Sequence, residues 1–410
     1  MKIKRLPEDF QVEELTAFPA NGGSYALYRL RKRSIGTPEA IDEIARRWKI
    51  PRYRISYGGL KDKHAVTTQF VTVQNGPRRN LAEEGFELCY LAQAAKPFTP
   101  HEISANRFAI VLRDLSDAAL ARALEALPQV RVEGLANYFD DQRFGSVGVS
   151  GEFIAQAWCA GNYERALWLA LADPHPDDRT DERRQKEILR EHWGKWRECK
   201  AALDRSHRRS IVTYLADKPP DRPDYRGAFA RLKVDLRGLY LAAFQSCLWN
   251  RMLTRFLRQE APAGQLADVQ LQLGPVPFFH GLNPELASRF QAAQLPLPSA
   301  RLHLDPANPN DTPLLKMITE TISEFGLELR QLRVKYPRDS FFSKGSRAVS
   351  VPVANLEAEP ADDDLYSGRK KLLLRFDLTR GSYATILVKR LTEPLTCSPS
   401  STKTTTALPS

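Results

Sequence analysis

The sequence predicts an α+β protein, rich in sheet at both ends and helical in the middle. Three observations carry this. Residues 65–74, AVTTQFVTVQ, form a β-branched run typical of a strand. Residues 164–207 are dominated by helical periodicity, broken only by the Pro- and Asp-rich stretch 173–178. Alternation then returns in residues 370–391, where Leu372, Leu374, Phe376 and Leu378 precede a turn at Gly381, the pattern of a hairpin.

Taken in order, YALYRLRKRS at 25–34 alternates apolar and basic residues. Leu27 and Leu30 become core anchors, and Arg29, Arg31, Lys32 and Arg33 a basic cluster where a strand runs into a loop. Thr37 and Pro38 fit the N-cap and first turn of a helix. Its Ile41, Ile44, Ala45 and Trp48 recur at helical spacing until Pro51 ends it. RFAIVLRDL followed by SDAALARALEAL reads as a strand and then a helix. Residues 236–259 read as one long helix, apolar on most faces, as expected for a helix buried between layers. The end, CSPSSTKTTTALPS, lacks periodic apolar residues and is expected to be disordered.

A chain of 410 residues has room for two or three domains, each with its own core. Lys and Arg number 60 against 49 Asp and Glu, a formal charge of +11. That balance favours an anionic partner such as nucleic acid and would also suit a membrane surface. The surplus is concentrated at the start: residues 1–63 hold 14 basic and 8 acidic side chains. No apolar run approaches the roughly 20 residues needed to span a bilayer, and the first residues lack a signal-peptide core, so a cytoplasmic location is expected. Five scattered cysteines, none spaced as C-x-x-C, point to buried reduced thiols. The zinc-hydrolase, P-loop and dinucleotide motifs are missing, which leaves ordinary side chains to do any chemistry, with no metal or cofactor.

Two segments carry candidate chemistry. In YGGLKDKHAVTTQF, Gly58 and Gly59 permit a tight turn, and Lys-Asp-Lys is either solvated surface charge or a frame for one reactive carboxylate. On the second reading Lys61 and Lys63 favour the ionised form of Asp62. His64 is a rival base, read instead as a structural or RNA-contacting residue because no orienting group pairs with it. In NYFDDQRFGSVG at 137–148, an aromatic ring to stack a base and Arg143 to pair with phosphate are what an RNA-base pocket needs. The alternative makes Tyr138, Phe139 and Phe144 core residues and pairs Arg143 with Asp140 or Asp141. Tyr138 and Phe144 are assigned to the core, and Phe139 is left between the two readings.

PEDFQVEE at 7–14, GLKDKHAVTTQ at 59–69, NYFDDQRFG at 137–145, AAFQSCLWNRM at 242–252 and GSYATILVKRL at 381–391 together resemble the TruD-type tRNA pseudouridine synthases. The resemblance covers nearly everything except the tail. It implies a mixed-sheet pseudouridine synthase catalytic domain, residues 1–150 and 341–393, interrupted by a largely helical TruD-type insertion domain at 151–340, with a disordered tail at 394–410. It further implies that Asp62 is the catalytic aspartate, that Asn137 and Phe139 frame the target uracil, and that Lys4 lies near the active site. The implied reaction isomerises a uridine, most simply uridine 13 of tRNA, by breaking the N-glycosidic bond and rejoining the base through carbon. No cofactor takes part. The expected partner is tRNA, with no membrane, and the protein is expected to be a monomer. The family usually has glycine after N-Y-F, where this chain has Asp140, and the charged stretch 173–226 is longer than in its shorter members.

Two readings from other classes remain. A non-catalytic RNA-binding protein would keep the basic surface and aromatics without needing Asp62. A metal-dependent nuclease could use Asp140 with Asp141, or Asp362–Asp364, although EPADDDLYSG reads as a solvated hairpin loop.

Overall fold

The computed structural model describes residues 1–309 and 311–394, so most of the expected tail lies outside the described residues. The chain divides into two units. The first comprises residues 1–137, 280–291 and 350–394, and the second comprises 138–279 and 292–349 among the described residues. Segment 138–150 thus belongs to the second unit, and 280–291 is a short return to the first.

The first unit is built on a nine-stranded mixed sheet. Its strands are β1 (Phe10–Leu15), β2 (Tyr25–Arg33), β3 (Ile55–Tyr57), β4 (Val66–Gln74), β5 (Leu81–Glu83), β6 (Phe86–Ala94), β7 (Ala105–Leu115), Ala354–Asp362 and Lys370–Thr379. Across the sheet the order runs Ala354–Asp362, Lys370–Thr379, β7, β1, β4, β2, β6, β5, with β3 also on β4. Every pairing is antiparallel except β1 with β4. That exception places the N-terminal ends of β1 and β4 side by side, with Gln11 opposite Val66. Whatever precedes either strand therefore meets at one end of these central strands.

Helix α1 (Thr37–Trp48) covers one face of the sheet. Ile41 and Ile44 join Ala26, Tyr28, Leu30, Val71, Val73 and Leu88 in the core, with Ala45 and Trp48 partly buried beside them. Gly36, rather than Thr37, is the N-cap. Thr37 sits one residue inside the helix and its hydroxyl is used elsewhere, as described below. Helix α2 (Asp117–Glu133) starts where Ser116 Oγ accepts a hydrogen bond from Ala119 N at 3.2 Å.

The expected C-terminal hairpin is half right. Lys370–Thr379 is a strand, but Ala384–Thr392 is a helix packed on α2. Its β-branched residues suit a strand locally. Ala384, Leu387, Val388 and Leu391, however, recur at three- and four-residue intervals and are all buried, so tertiary packing outweighs local preference.

The regular structure of the second unit is mainly helical. Residues 173–178 form the expected break, and 180–216 fold as three helices, Thr180–Glu191, Trp196–Ala202 and His207–Ala216. The long helix spans Val234–Glu260 and is buried on most faces between Tyr240 and Leu253. Small two-stranded sheets, Leu266–Leu271 with Gly274–Phe279 and Gln294–Pro296 with Ser346–Ala348, complete the unit. Among the described residues no helix is long and apolar enough to cross a membrane. Cys199 and Cys247 are buried and Cys89 and Cys159 half-buried, all four as free thiols. Burial pushes the Cys247 thiol up to about 12, which leaves it inert.

Candidate active site

The parallel pairing of β1 with β4 brings Lys4 to Asp62. Lys4 Nζ donates to Asp62 Oδ2 at 2.8 Å, with both side chains about a quarter exposed. Lys4 has φ 58°, the left-handed region that a non-glycine residue seldom occupies. Such an outlier persists only where the surroundings hold it. Here they do: the Phe10 ring lies 4.0 Å beneath the ammonium, and Lys2 pairs with Arg113 through two main-chain hydrogen bonds of 2.8 Å.

The motif PEDFQVEE is explained by this end of the strands. Asp9 Oδ2 accepts from Leu6 N at 2.9 Å and Oδ1 from Arg113 Nε at 2.9 Å, fixing the arm that carries Lys4. Glu14, buried on β1, accepts from Phe70 N at 2.9 Å and pairs with Lys61 Nζ at 2.7 Å. Lys61 is thus engaged by Glu14, and Lys63 lies 3.6 Å from Glu39 at the surface. The ion-pair partners of both flanking lysines are thus glutamates. A cation on the Asp62 carboxylate comes from 58 residues earlier in the chain. His64 is exposed.

Beneath the loop, buried polar side chains replace the partners its backbone lacks. Thr37 Oγ1 accepts from Lys61 N at 3.0 Å and donates to Gln69 Oε1 at 2.9 Å, and Gln69 Nε2 donates to Gly59 O at 3.3 Å. Lys32 Nζ donates to Asp62 O at 2.6 Å. Lys32 thus leaves the expected surface cluster: Arg29, Arg31 and Arg33 are exposed, whereas Lys32 shares the inward register of Tyr28 and Leu30. Gly58 packs closely, since a Cβ there would sit 2.4 Å from Ile103 Cδ1 and 2.9 Å from Phe98 Cε1, and those side chains would have to shift.

Asn137 ends the first unit and is buried. In the second unit Tyr138 and Phe144 are core, as expected. Tyr138 stacks on Phe278 and its hydroxyl donates to Pro277 O at 3.1 Å. Phe139 is only 8% exposed. Its backbone is clamped by one side chain: Phe139 N donates to Asn250 Oδ1 at 2.9 Å and Asn250 Nδ2 donates to Phe139 O at 2.8 Å. The ring meets Trp249 edge-on, centroids 5.7 Å apart, and carries the guanidinium of Arg347 at 4.1 Å and that of Arg143 at 5.4 Å. Arg143 Nε donates to Ser246 Oγ at 3.1 Å, and Asp141 Oδ1 accepts from Gln272 N at 2.8 Å. Asp140 has φ −91°, so replacing the usual glycine imposes no strain there.

Several of these residues escaped sequence reasoning. Lys32 and Glu14 each lie in or beside the inward phase of a strand, where a charged residue is itself a signal. Asn250 is a polar residue inside the apolar run of the long helix. Arg347 leaves no comparable mark.

Of the acids proposed for a nuclease, Asp363 and Asp364 are engaged by one guanidinium. Asp363 is buried and accepts from Arg113 Nη1 at 2.9 Å, as does Asp364. Among the described residues no group of three His, Cys, Asp or Glu side chains could hold a metal ion.

The family profile of tRNA pseudouridine synthase D (TruD) matches residues 1–391. The chain belongs to the TruD family. Membership makes it an RNA pseudouridine synthase, an isomerase. Among TruD relatives, the Methanococcus maripaludis protein named probable tRNA pseudouridine synthase D 1 is 30% identical over 95% of this chain and 99% of its own. The tRNA pseudouridine synthase D of Aquifex aeolicus is 27% identical over 95% and 98%. The TruD crystal structure from Methanosarcina mazei superposes with a TM-score of 0.67 at 24% identity, over 96% of this chain and 93% of that one, a likeness of fold.

Proposed function

We propose that this protein converts uridine 13 of tRNA to pseudouridine, with Asp62 as the catalytic carboxylate and the first unit as the catalytic module. The observation that supports this best is the Lys4–Asp62 contact of 2.8 Å. It holds one carboxylate, backed by a buried polar network, on a loop at the N-terminal end of the central strand β4. The carboxylate acts on the glycosidic unit of the target nucleotide, and Lys4 holds it in place. No external energy or redox partner is needed, because the product is an isomer of the substrate. A tRNA transcript incubated with the protein and mapped for pseudouridine tests the position. Product at position 13 is expected, and product only elsewhere would overturn the assignment.

Phosphate contacts supply most of the affinity. Each phosphate neutralised by Lys or Arg should contribute a slope of about −0.7 to −0.9 in log K against log salt. Titrations at several salt concentrations should therefore show steep weakening, and a flat dependence would contradict an electrostatic footprint.

Phe139 is the proposed stacking ring for the target uracil, and the arginines now over it are the groups a base must displace or join. Phe139→Leu keeps the apolar volume and removes the aromatic face. It should lose about 1–3 kcal/mol of productive binding. Single-turnover rates are expected to fall while the tRNA binding constant, set by phosphates, holds. Equal values for both in variant and wild type would reduce Phe139 to a core residue.

A further inference from the structure

Lys32 lies on β2 in the phase that alternation reserves for the core and is 1% exposed. A buried ammonium group is unfavourable unless its donors are matched, and a hydrocarbon of the same length would fill this space without the penalty. Its hydrogen-bond partners here are main-chain carbonyls: Asp62 O at 2.6 Å, Ile35 O at 2.8 Å and Lys61 O at 3.3 Å. One ammonium thus joins the segment before α1 to two consecutive peptide groups of the Asp62 loop. Thr37 and Gln69 hold residues 61 and 59. Of these three buried side chains, Lys32 alone bonds residue 62 itself.

We infer that Lys32 is a positioning residue for the isomerisation, clamping the peptide planes of residues 61 and 62 so that the Asp62 carboxylate is aimed at its target. The inference rests on the reading of Asp62 as the reacting carboxylate. Fixing the direction of the Asp62 carbonyl fixes rotation about its Cα–C bond. That in turn sets where Cβ and the carboxylate point.

The charge on Lys32 makes the clamp sensitive to pH. From the loop, Asp62 attracts the ammonium and Lys61 repels it, and from α1 Glu39 attracts it. The flanking strands place Thr67 and Phe86 opposite, neither of which titrates. Burial outweighs the attractions and lowers the pKa to about 8. Lys32 is therefore charged at neutral pH and loses a proton, with one of its three donors, as pH rises through about 8. Above that value the unfolded chain binds more protons at this lysine than the folded one, up to its ordinary value of about 10.4. Through this window the group adds stability as pH rises, while the aim of Asp62 loosens. Rate and stability should move in opposite directions.

The test is single-turnover pseudouridine formation on a tRNA transcript with the full-length wild type, Lys32→Met and Asp62→Asn. Each is read from about pH 6.5 to about 9.5, beside tRNA binding and thermal melts. Lys32→Met is expected to be slower on the order of 10²-fold, with unchanged affinity, an undiminished melt, and none of the wild type's decline above pH 8. A wild-type rate with the same alkaline decline in Lys32→Met would overturn the inference. If Lys32→Met fails to fold, the wild-type profile decides: a decline above pH 8 at constant affinity supports the clamp, and a flat profile overturns it. Turnover retained in Asp62→Asn would remove the catalytic reading itself, so the two failures appear in different variants.

Discussion

Asp62→Asn is expected to abolish pseudouridine formation while leaving folding and tRNA affinity near wild type. Asparagine keeps the shape of the side chain and can still accept a hydrogen bond from Lys4 Nζ, which now lies 2.8 Å from Oδ2. The loop also keeps its support, because Lys32, Thr37 and Gln69 bind main-chain atoms of residues 59 to 62. What is lost is the negative charge and the reactivity of a carboxylate as nucleophile or base. A residue that served only the turn would tolerate the change, since Asn suits turns as well as Asp does. Tritium release from labelled tRNA, with a thermal melt and a binding titration, makes the comparison. Product formation at the wild-type rate would return this loop to ordinary surface charge.

Arg113→Met should have the largest effect on stability, destabilising the first unit by about 3–5 kcal/mol. The guanidinium is buried on β7 and bonds Asp9, Asp363 and Asp364, each at 2.9 Å. Methionine fills much of the space but leaves Asp9 and Asp363 buried without their counter-ion. Burial alone would push the Asp363 carboxyl up. The main-chain N–H groups of Asp114 and Leu365 and the Arg113 guanidinium together hold it below the ordinary range. Lys371 and Arg113 hold Asp364 lower still. For carboxylates whose folded pKa is depressed, the stabilisation is present above the unfolded value and fades as pH falls. The gap between wild type and Arg113→Met should therefore be full at pH 7 and narrow below about pH 4. Urea unfolding at both values tests the sign as well as the size. Identical midpoints at pH 7 would show that the buried network does not stabilise the sheet. Because the same guanidinium anchors Asp9, the arm bearing Lys4 should loosen in this variant and turnover should fall with stability.

The local pattern of the sequence determined most of the elements. Alternation in residues 25–33 specifies a strand because successive side chains face opposite sides, and the β-branched run in 66–74 specifies another. The spacing of Ile41, Ile44 and Trp48 specifies α1 because such residues share a helix face. The motifs around Asp9, Asp62, Asn137 and Gly381 also determined the family. Tertiary structure decided what no local pattern settles. It decided between two local signals in Ala384–Thr392, β-branched residues that suit a strand and apolar residues spaced as on a helix face, because α2 offers the surface that this face covers. It paired Lys61 with Glu14 and gave Asp62 to Lys4, because parallel pairing of β1 with β4 joins two segments that are distant in sequence. It also supplied the partners of Lys32: the strand phase turns this side chain inward, and only the fold brings the carbonyls of Ile35, Lys61 and Asp62 to its ammonium. Partners so far apart along the chain meet only when the sheet forms, so a hydrogen bond between them has no signature in either segment by itself.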